Sequence, residues 1–311
     1  MMTLFRDIAT ISQTDAAVLI EGDTGVGKTL VAEAIHEQSP RAGKPFIAFS
    51  AANLAEQLFE SELFGHVKGA FSGAHNHHLG LARAADGGTL FLDEAAELSW
   101  INQGKLLHFL DQKVVRPVGA VRGYRTNVRL ICATNQDLHA RVQEGAFRRD
   151  LYYRLRVFGL RVPPLSARCD DIPLLVEYFI ERFCAKYGKR LAGVDPEVKR
   201  RLLRHPWEGN VRELENEMER LVVMTPEGER IGSHRLSNHI LAASHRKNGN
   251  GRSLLEQAVH RAECEVLIKA LERQRWNVAA TAREMGISRV GLSRKLKRLG
   301  IERPGTRSAR S

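Results

Sequence analysis

Short, continuous apolar runs alternate with stretches of helical period over the first half of the chain. Ala17 to Leu19, Phe46 to Phe49, Thr89 to Leu92 and Val128 to Ala133 are too short for helices and too uniformly apolar for strands wetted on one face. They predict parallel strands buried on both faces, with the segments between them as crossover helices. Ala17 to about Val162 is therefore predicted to be an α/β domain. After Pro163 and Pro164 the period turns helical, through Ile172 to Lys186, Pro196 to Arg204 and Val211 to Met224, and no further strand is predicted. Ser244 to Ser253, polar and carrying Gly249 and Gly251, reads as a linker. Beyond it, Leu254 to Gln274 has helical period. Asn277 to Ser288 then gives a short helix, a turn at Gly286 and a capping Ser288 for a second helix running to Leu299. The division expected is 1–165 (α/β), 166–243 (helical), 244–252 (linker), 253–303 (small helical module) and 304–311 (basic tail).

Composition narrows the setting. A chain of 311 residues has room for one large domain or two to three modest ones. Met1 to Ala9 carries Arg6 and Asp7 and does not resemble a signal peptide, and no run approaches the roughly 20 apolar residues of a membrane span. Cys132, Cys169, Cys184 and Cys264 have no paired spacing, so neither a zinc site nor a disulfide framework is expected; a reducing cytoplasm fits. The formal net charge is +11, and residues 251–311 hold 14 Lys/Arg against 6 Asp/Glu, a local +8. A solvated basic tail would look the same by charge alone. Here the charge coincides with a helix-turn-helix pattern, which points to double-stranded DNA.

Gly22, Asp23, Thr24, Gly25, Val26, Gly27, Lys28 and Thr29 follow the first strand and open a helix at Leu30 to Gln38, the setting of a phosphate-binding loop. Backbone N–H groups and the helix N-terminus favour phosphate, Lys28 reaches the β/γ-phosphates of ATP, and the Thr29 hydroxyl holds Mg²⁺. Asp93 and Glu94 end the apolar strand that starts at Thr89, at the sheet edge where ligands bind. Acids there are also common helix caps. Beside a phosphate loop, Asp93 reads as the second Mg²⁺ group and Glu94 as the base that orients the attacking water.

From Ala17 to about Leu241 the sequence resembles the AAA+ domain of bacterial enhancer-binding proteins, the activators of sigma-54 RNA polymerase. The most specific segment is Glu62 to His66 followed by Gly69, Ala70, Phe71, Ser72, Gly73 and Ala74, similar to the family's GAFTGA loop. That loop presents one aromatic among small residues. The resemblance makes it the sigma-54 contact. Ala133, Thr134 and Asn135 are similar to sensor I, with Asn135 among the catalytic set. Phe147 to Leu155 looks like the arginine-finger segment, with Arg148 and Arg154 reaching a neighbouring subunit's γ-phosphate. Trp207 to Asn216 resembles sensor II, placing Arg212 over the nucleotide. The fold implied is an AAA+ P-loop parallel sheet flanked by helices, with a helical lid and a small all-α helix-turn-helix domain. The partners implied are sigma-54 RNA polymerase holoenzyme, DNA upstream of promoters, and copies of the chain itself in a ring, a hexamer or heptamer that could admit a related subunit. About sixteen residues ahead of Ala17 are too few for a receiver or ligand-sensing domain, so control by a regulatory protein in trans is expected. Three departures stand out. Ser72 replaces the family's Thr, Ser50 replaces the Asn of its glutamate switch, and the lead-in to the first strand is short on the adenine side.

The C-terminal module resembles the Fis-type helix-turn-helix of the same family, with Ala282, Ile287, Leu292 and Leu296 as core. Ser288, Arg289, Ser293, Arg294 and Lys297 are expected to face the major groove, and Lys295 and Arg298 to meet phosphates. A helical hairpin serving dimerisation alone is the bland alternative. His75, His77 and His78 lack a paired acidic or cysteine ligand and are read as solvated loop residues. Two rival functions remain: an ATPase acting directly on DNA, such as a helicase or loader, and a repressor with a decayed ATPase. The GAFTGA-like loop speaks against the first, and the intact Lys28, Asp93, Glu94, Arg148 and Arg154 against the second.

Overall fold

Thr89 to Leu92 and Val128 to Ala133 are buried at every residue, and that decides how the chain packs. The computed structural model describes residues 2–53 and 56–241, together with 267, 270, 271, 273, 274, 276–286, 292 and 296. The chain divides into two units, Met1–Ser237 and Asn238–Ser311. In the first unit the order is α1 (Met2–Ser12), β1 (Val18–Glu21), α2 (Lys28–Glu37), β2 (Phe46–Ser50), α3 (Glu56–Phe64), α4 (Leu81–Ala84), β3 (Thr89–Asp93) and α5 (Trp100–Gln112). A short hairpin of β4 (Val114–Val115) and β5 (Tyr124–Arg125) precedes β6 (Arg129–Thr134), α6 (Leu138–Gln143), α7 (Arg149–Leu155) and β7 (Phe158–Arg161). The remainder is α8 (Asp171–Tyr187), β8 (Gly193–Val194), α9 (Pro196–Arg204), α10 (Asn210–Met224) and β9 (Arg230–Ile231).

Five strands form one parallel sheet in the order β2-β3-β6-β1-β7. Alternate residues feed two cores. Leu19, Leu90, Leu92, Leu130 and Cys132 pack with α3, α5 and α7 through Phe59, Leu63, Phe109, Leu151 and Leu155. Val18, Ile20, Phe91, Ile131 and Ala133 face the other way, onto α1 and α2 through Leu4, Ile8, Ile11, Val31 and Ile35. Both faces are thus covered by helices, which is why the strands read as continuous apolar runs. Burial pushes the Cys132 thiol far up, so it packs as a small apolar side chain.

Elements at both ends of this unit depart from the sequence reading. The lead-in before β1 is a full helix, α1. Arg129, 1% exposed, donates from Nη1 to the carbonyl of Ser12 (3.1 Å) and from Nη2 to that of Ile11 (2.9 Å), satisfying the helix's terminal acceptors. Nearby, Arg41 donates to Asp15 Oδ1 (2.8 Å) and to the carbonyls of Gly88 (2.9 Å) and Asn127 (2.7 Å), tying the chain after α1 to the segments that lead into β3 and β6. The segment after Pro164 is also not wholly helical. β8 and β9 pair in parallel over two residues each, Gly193 with Arg230 and Val194 with Ile231. So short a ladder carries no periodicity to read.

In the second unit, Asn277 caps α11 (Val278–Glu284), its Oδ1 accepting from the amides of Ala279 (3.1 Å) and Ala280 (3.2 Å). Gly286 takes the turn at φ +67°, which L side chains rarely adopt. Leu267, Ala282 and Leu292 are its buried core, with Val278, Met285 and Leu296 against them. Ile287 and every residue assigned above to DNA, Ser288, Arg289, Ser293, Arg294, Lys295, Lys297 and Arg298, lie outside the described residues.

Candidate functional site

β1 is flanked by β6 on one side and β7 on the other, so its C-terminal end is the point where the chain's crossovers diverge. The phosphate-loop segment leaves the sheet there, held by the amide of Gly22 on the carbonyl of Thr134 (3.2 Å). Gly25 (φ +78°) and Gly27 (φ +102°) take left-handed conformations, and a Cβ on Gly25 would stand 2.4 Å from the carbonyl oxygen of Gly209. Lys28, 7% exposed, opens α2 and donates from Nζ to the carbonyls of Gly22 (2.9 Å) and Asp23 (3.3 Å), spanning the mouth of the loop. Val26 is buried beneath the loop.

A cleft of about 200 Å³ lies beside this loop, lined by Thr24, Gly25, Gly27, Lys28 and Thr29, by Asp93 and Glu94 from the end of β3, and by Arg212 from α10. Three separate segments thus converge. Glu94 stands at φ +53°, ψ +47°, a left-handed conformation that costs a non-glycine residue on the order of 1 kcal/mol. Its Oε2 is buried without a hydrogen-bond partner, so Ser50, which pairs with Asp93 in strand register, does not restrain that oxygen. The Oδ1 of Asp93 accepts the Glu94 amide (2.9 Å). For a hard cation the cleft offers oxygen ligands, the Thr29 hydroxyl and the Asp93 carboxylate, and for phosphate it offers Lys28, Arg212 and loop amides. The donor set fits ATP with Mg²⁺.

The other site residues lie outside this cleft. Asn135, at the end of β6, lines a separate polar cavity of about 330 Å³ with Gly22 and Asp23, and its Nδ2 donates to Thr24 Oγ1 (3.2 Å). Arg148 immediately precedes α7 and is engaged by Asp150, which holds the guanidinium's pKa above its ordinary value through their hydrogen bonds; Asp150 is held below the usual carboxylate range by the same pair. Its guanidinium also lies 5.5 Å from the Trp100 ring centroid. Arg154 pairs with Asp111 at 3.2 Å. Neither arginine lines its own chain's cleft.

Gly69 to Ala74 form a closed turn, with the Gly69 amide on the carbonyl of Ala74 (2.8 Å) and the Ala74 amide on that of Phe71 (3.0 Å). Gly69 (φ +82°) and Gly73 (φ +110°) permit it, and Ser72 is exposed. Phe71 is 40% exposed, with one edge on the His66 ring at 5.0 Å between centroids. Ala70 packs under Gly119, where an added Cβ would meet it at 2.9 Å.

Sequence reasoning missed two lid residues that touch the loop. Arg168 donates from Nη2 to the carbonyl of Val26 (2.7 Å), and burial pushes its pKa down. Asn210 donates from Nδ2 to that of Thr24 (3.1 Å). Asn210 falls in the segment read as sensor II, and its left-handed backbone, φ +54°, is not legible in sequence.

Comparison with known proteins agrees with this geometry. Residues 1–161 match the family described as the Sigma-54 interaction domain, 166–253 the AAA+ ATPase lid domain, and 258–299 the Fis-family bacterial regulatory protein domain. The chain is 44% identical over 298 residues to the transcriptional regulatory protein ZraR of Escherichia coli K12, covering 96% of this chain and 67% of that protein. It is 41% identical over 307 residues to the response regulator PilR of Pseudomonas aeruginosa, covering 97% and 68%. Among solved structures it is similar to NtrX from Brucella abortus in complex with ADP, with TM-score 0.74 and 34% identity over 96% of this chain and 68% of that one. The same protein in complex with ATP gives 0.71 and 35%, covering 96% and 67%. Among the described residues no helix is long and apolar enough to cross a membrane.

Proposed function

Because the chain belongs to the sigma-54 activator family, with an AAA+ nucleotide-binding domain, a lid and a Fis-type DNA-binding domain, we propose that it hydrolyses ATP in a ring of subunits and uses the cycle to remodel sigma-54 RNA polymerase and open promoters. The observation that carries the reading is the convergence of Lys28, Thr29, Asp93, Glu94 and Arg212 on one cleft, with two arginines held outside it.

Within one subunit, Lys28 and the loop amides bind the phosphates, and Arg212 closes over them from the lid. Mg²⁺, when held by Thr29 and Asp93, neutralises charge on the phosphate oxygens. Glu94 takes the proton of the attacking water, and its unshared Oε2 leaves that acceptor free for the task. Asn135 is the sensor beside the phosphates. Arg148 and Arg154 act in the neighbouring subunit, exchanging Asp150 and Asp111 for that subunit's nucleotide. Phe71 on its turn meets sigma-54. The C-terminal helix-turn-helix binds DNA upstream of the promoter, reading bases with Ser288, Arg289, Ser293, Arg294 and Lys297 and gripping phosphates with Lys295 and Arg298. A cytoplasmic location and a regulator acting in trans complete the proposal.

Capture of sigma-54 tests it. The protein loaded with ADP and aluminium fluoride should retain sigma-54 on a size-exclusion column, and the protein with ADP alone should not. Equal retention, or none, in the two states would remove the nucleotide-driven contact from the account.

A further inference from the structure

Three consecutive carbonyls of the phosphate loop point to the lid. That of Thr24 accepts from Asn210 Nδ2 (3.1 Å), that of Gly25 from the amides of Val211 (2.9 Å) and Arg212 (3.3 Å), and that of Val26 from Arg168 Nη2 (2.7 Å). In a trans peptide the C=O and the following N–H lie on opposite edges of one plane. Pinning these carbonyls to the lid therefore turns the N–H groups of Gly25, Val26 and Gly27 away from it. Among the described residues, no protein acceptor takes any of those three N–H groups. Val26 is a buried residue, and an unpaired N–H at such a position is costly unless a ligand accepts it. Three adjacent N–H groups without acceptors make an anion-binding concavity.

Asn210 holds the arrangement together. It is 2% exposed, and its Oδ1 accepts the amide of Leu165 (2.8 Å) in the connection between sheet and lid while its Nδ2 holds Thr24. One side chain thus joins the hinge, the first turn of α10 and the loop. The backbone of Asn210 is left-handed, a conformation Asn tolerates better than most residues.

We propose that Asn210, assisted by Arg168, is a positioning residue that aligns the loop's three N–H donors for the phosphates, so that docking of the lid on the loop sets nucleotide affinity. The inference rests on the nucleotide-binding reading above. Its strength comes from pre-organisation: the donors are aimed before the phosphate arrives, and binding does not spend energy ordering them.

The test uses the full chain, ATPγS and ADP as probes, and two substitutions. Asn210→Gly suits the positive φ and removes the side-chain bonds to Leu165 and Thr24, together with the long one to the Glu208 carbonyl (3.4 Å). Asn210→Asp keeps the acceptor for Leu165 and sets an oxygen against the carbonyl of Thr24. Both should raise the Kd of ATPγS and ADP about three- to tenfold. Both should raise KM for ATP with kcat changed less than twofold, and speed hydrogen exchange at the amides of Val211 and Arg212 in the nucleotide-free protein. Parental affinity in Asn210→Asp with exchange unchanged overturns the proposal. If the Asn210 variants do not fold, Arg168→Met decides it, since loss of the Val26 contact must weaken both nucleotides in the same way, and parental Kd values there overturn it. A parental protein that binds nucleotide without turnover would contradict the hydrolysis reading alone, because the Kd and exchange measurements still judge Asn210.

Discussion

Arg148 and Asp150 form a two-point ion pair, Nε to Oδ1 at 3.1 Å and Nη2 to Oδ2 at 2.9 Å, and neither residue lines the chain's own nucleotide cleft. Within its own subunit the guanidinium is satisfied by Asp150 rather than by the cleft. If it serves a neighbour, Arg148→Ala or Arg154→Ala subunits should be inactive alone, yet regain ATP turnover when mixed with Glu94→Gln subunits. A mixed ring contains some junctions in which an intact finger meets an intact Glu94. Turnover of mixed and unmixed preparations, with mixed assembly verified by a tag on one partner, checks it.

Glu94→Gln should bind ATPγS with parental affinity and lose turnover by at least about a hundredfold, since the amide cannot accept the water's proton. The substitution retains the shape of a side chain whose Oε2 has no partner to lose, so the melting temperature should not fall. Single-turnover hydrolysis and differential scanning calorimetry on one preparation separate the two effects.

Phe71→Ala should keep ATP turnover and assembly while losing transition-state-dependent capture of sigma-54. The neighbours Gly69, Ala70, Ser72, Gly73 and Ala74 are too small to replace its contact area. Its ring touches only the edge of His66 among the aromatic groups described, so truncation disturbs little of the fold. Ser72→Thr should capture sigma-54 at least as well as the parent. Column retention with ADP and aluminium fluoride reads both.

Asp15 and Arg41 supply a pH-dependent contribution to stability. The hydrogen bond from Arg41 holds the Asp15 carboxyl below its usual range, so the stabilisation is fully present above the unfolded pKa and is lost as pH falls through the folded one. Asp15 is largely exposed, which keeps the expected effect small. Asp15→Asn should lower stability at pH 7 by no more than about 1 kcal/mol, and the difference should vanish in strong acid. Urea unfolding of both proteins across pH 2 to 7 measures it.

The sheet was legible because β1, β2, β3 and β6 are apolar on both faces, as strands covered by helices must be. Strand β7 was not, since in Phe158–Arg161 the apolar positions are interrupted by Gly159 and Arg161 and make no continuous run. The spacing of Leu4, Ile8 and Ile11 does encode α1, but what fixes that helix is Arg129, which is 117 residues away from Ser12 in sequence. At the site, the phosphate loop, the acids of β3 and Arg212 were readable as residue types in order. The docking of the lid on the loop was not, because Val211 and Arg212 contribute to it through backbone amides, which every residue except proline possesses. The pairing of Arg148 with Asp150 depended on side-chain orientation, and no pattern of spacing expresses that.

ATP-driven opening of sigma-54 promoters is measured by counting heparin-resistant open complexes on a promoter with an upstream activator site. Parental protein with ATP should open the promoter with sigma-54 holoenzyme and fail with polymerase carrying the major sigma factor, and Lys28→Ala should fail with both. Opening that is equal with the two polymerases, or that persists in Lys28→Ala, would contradict the account.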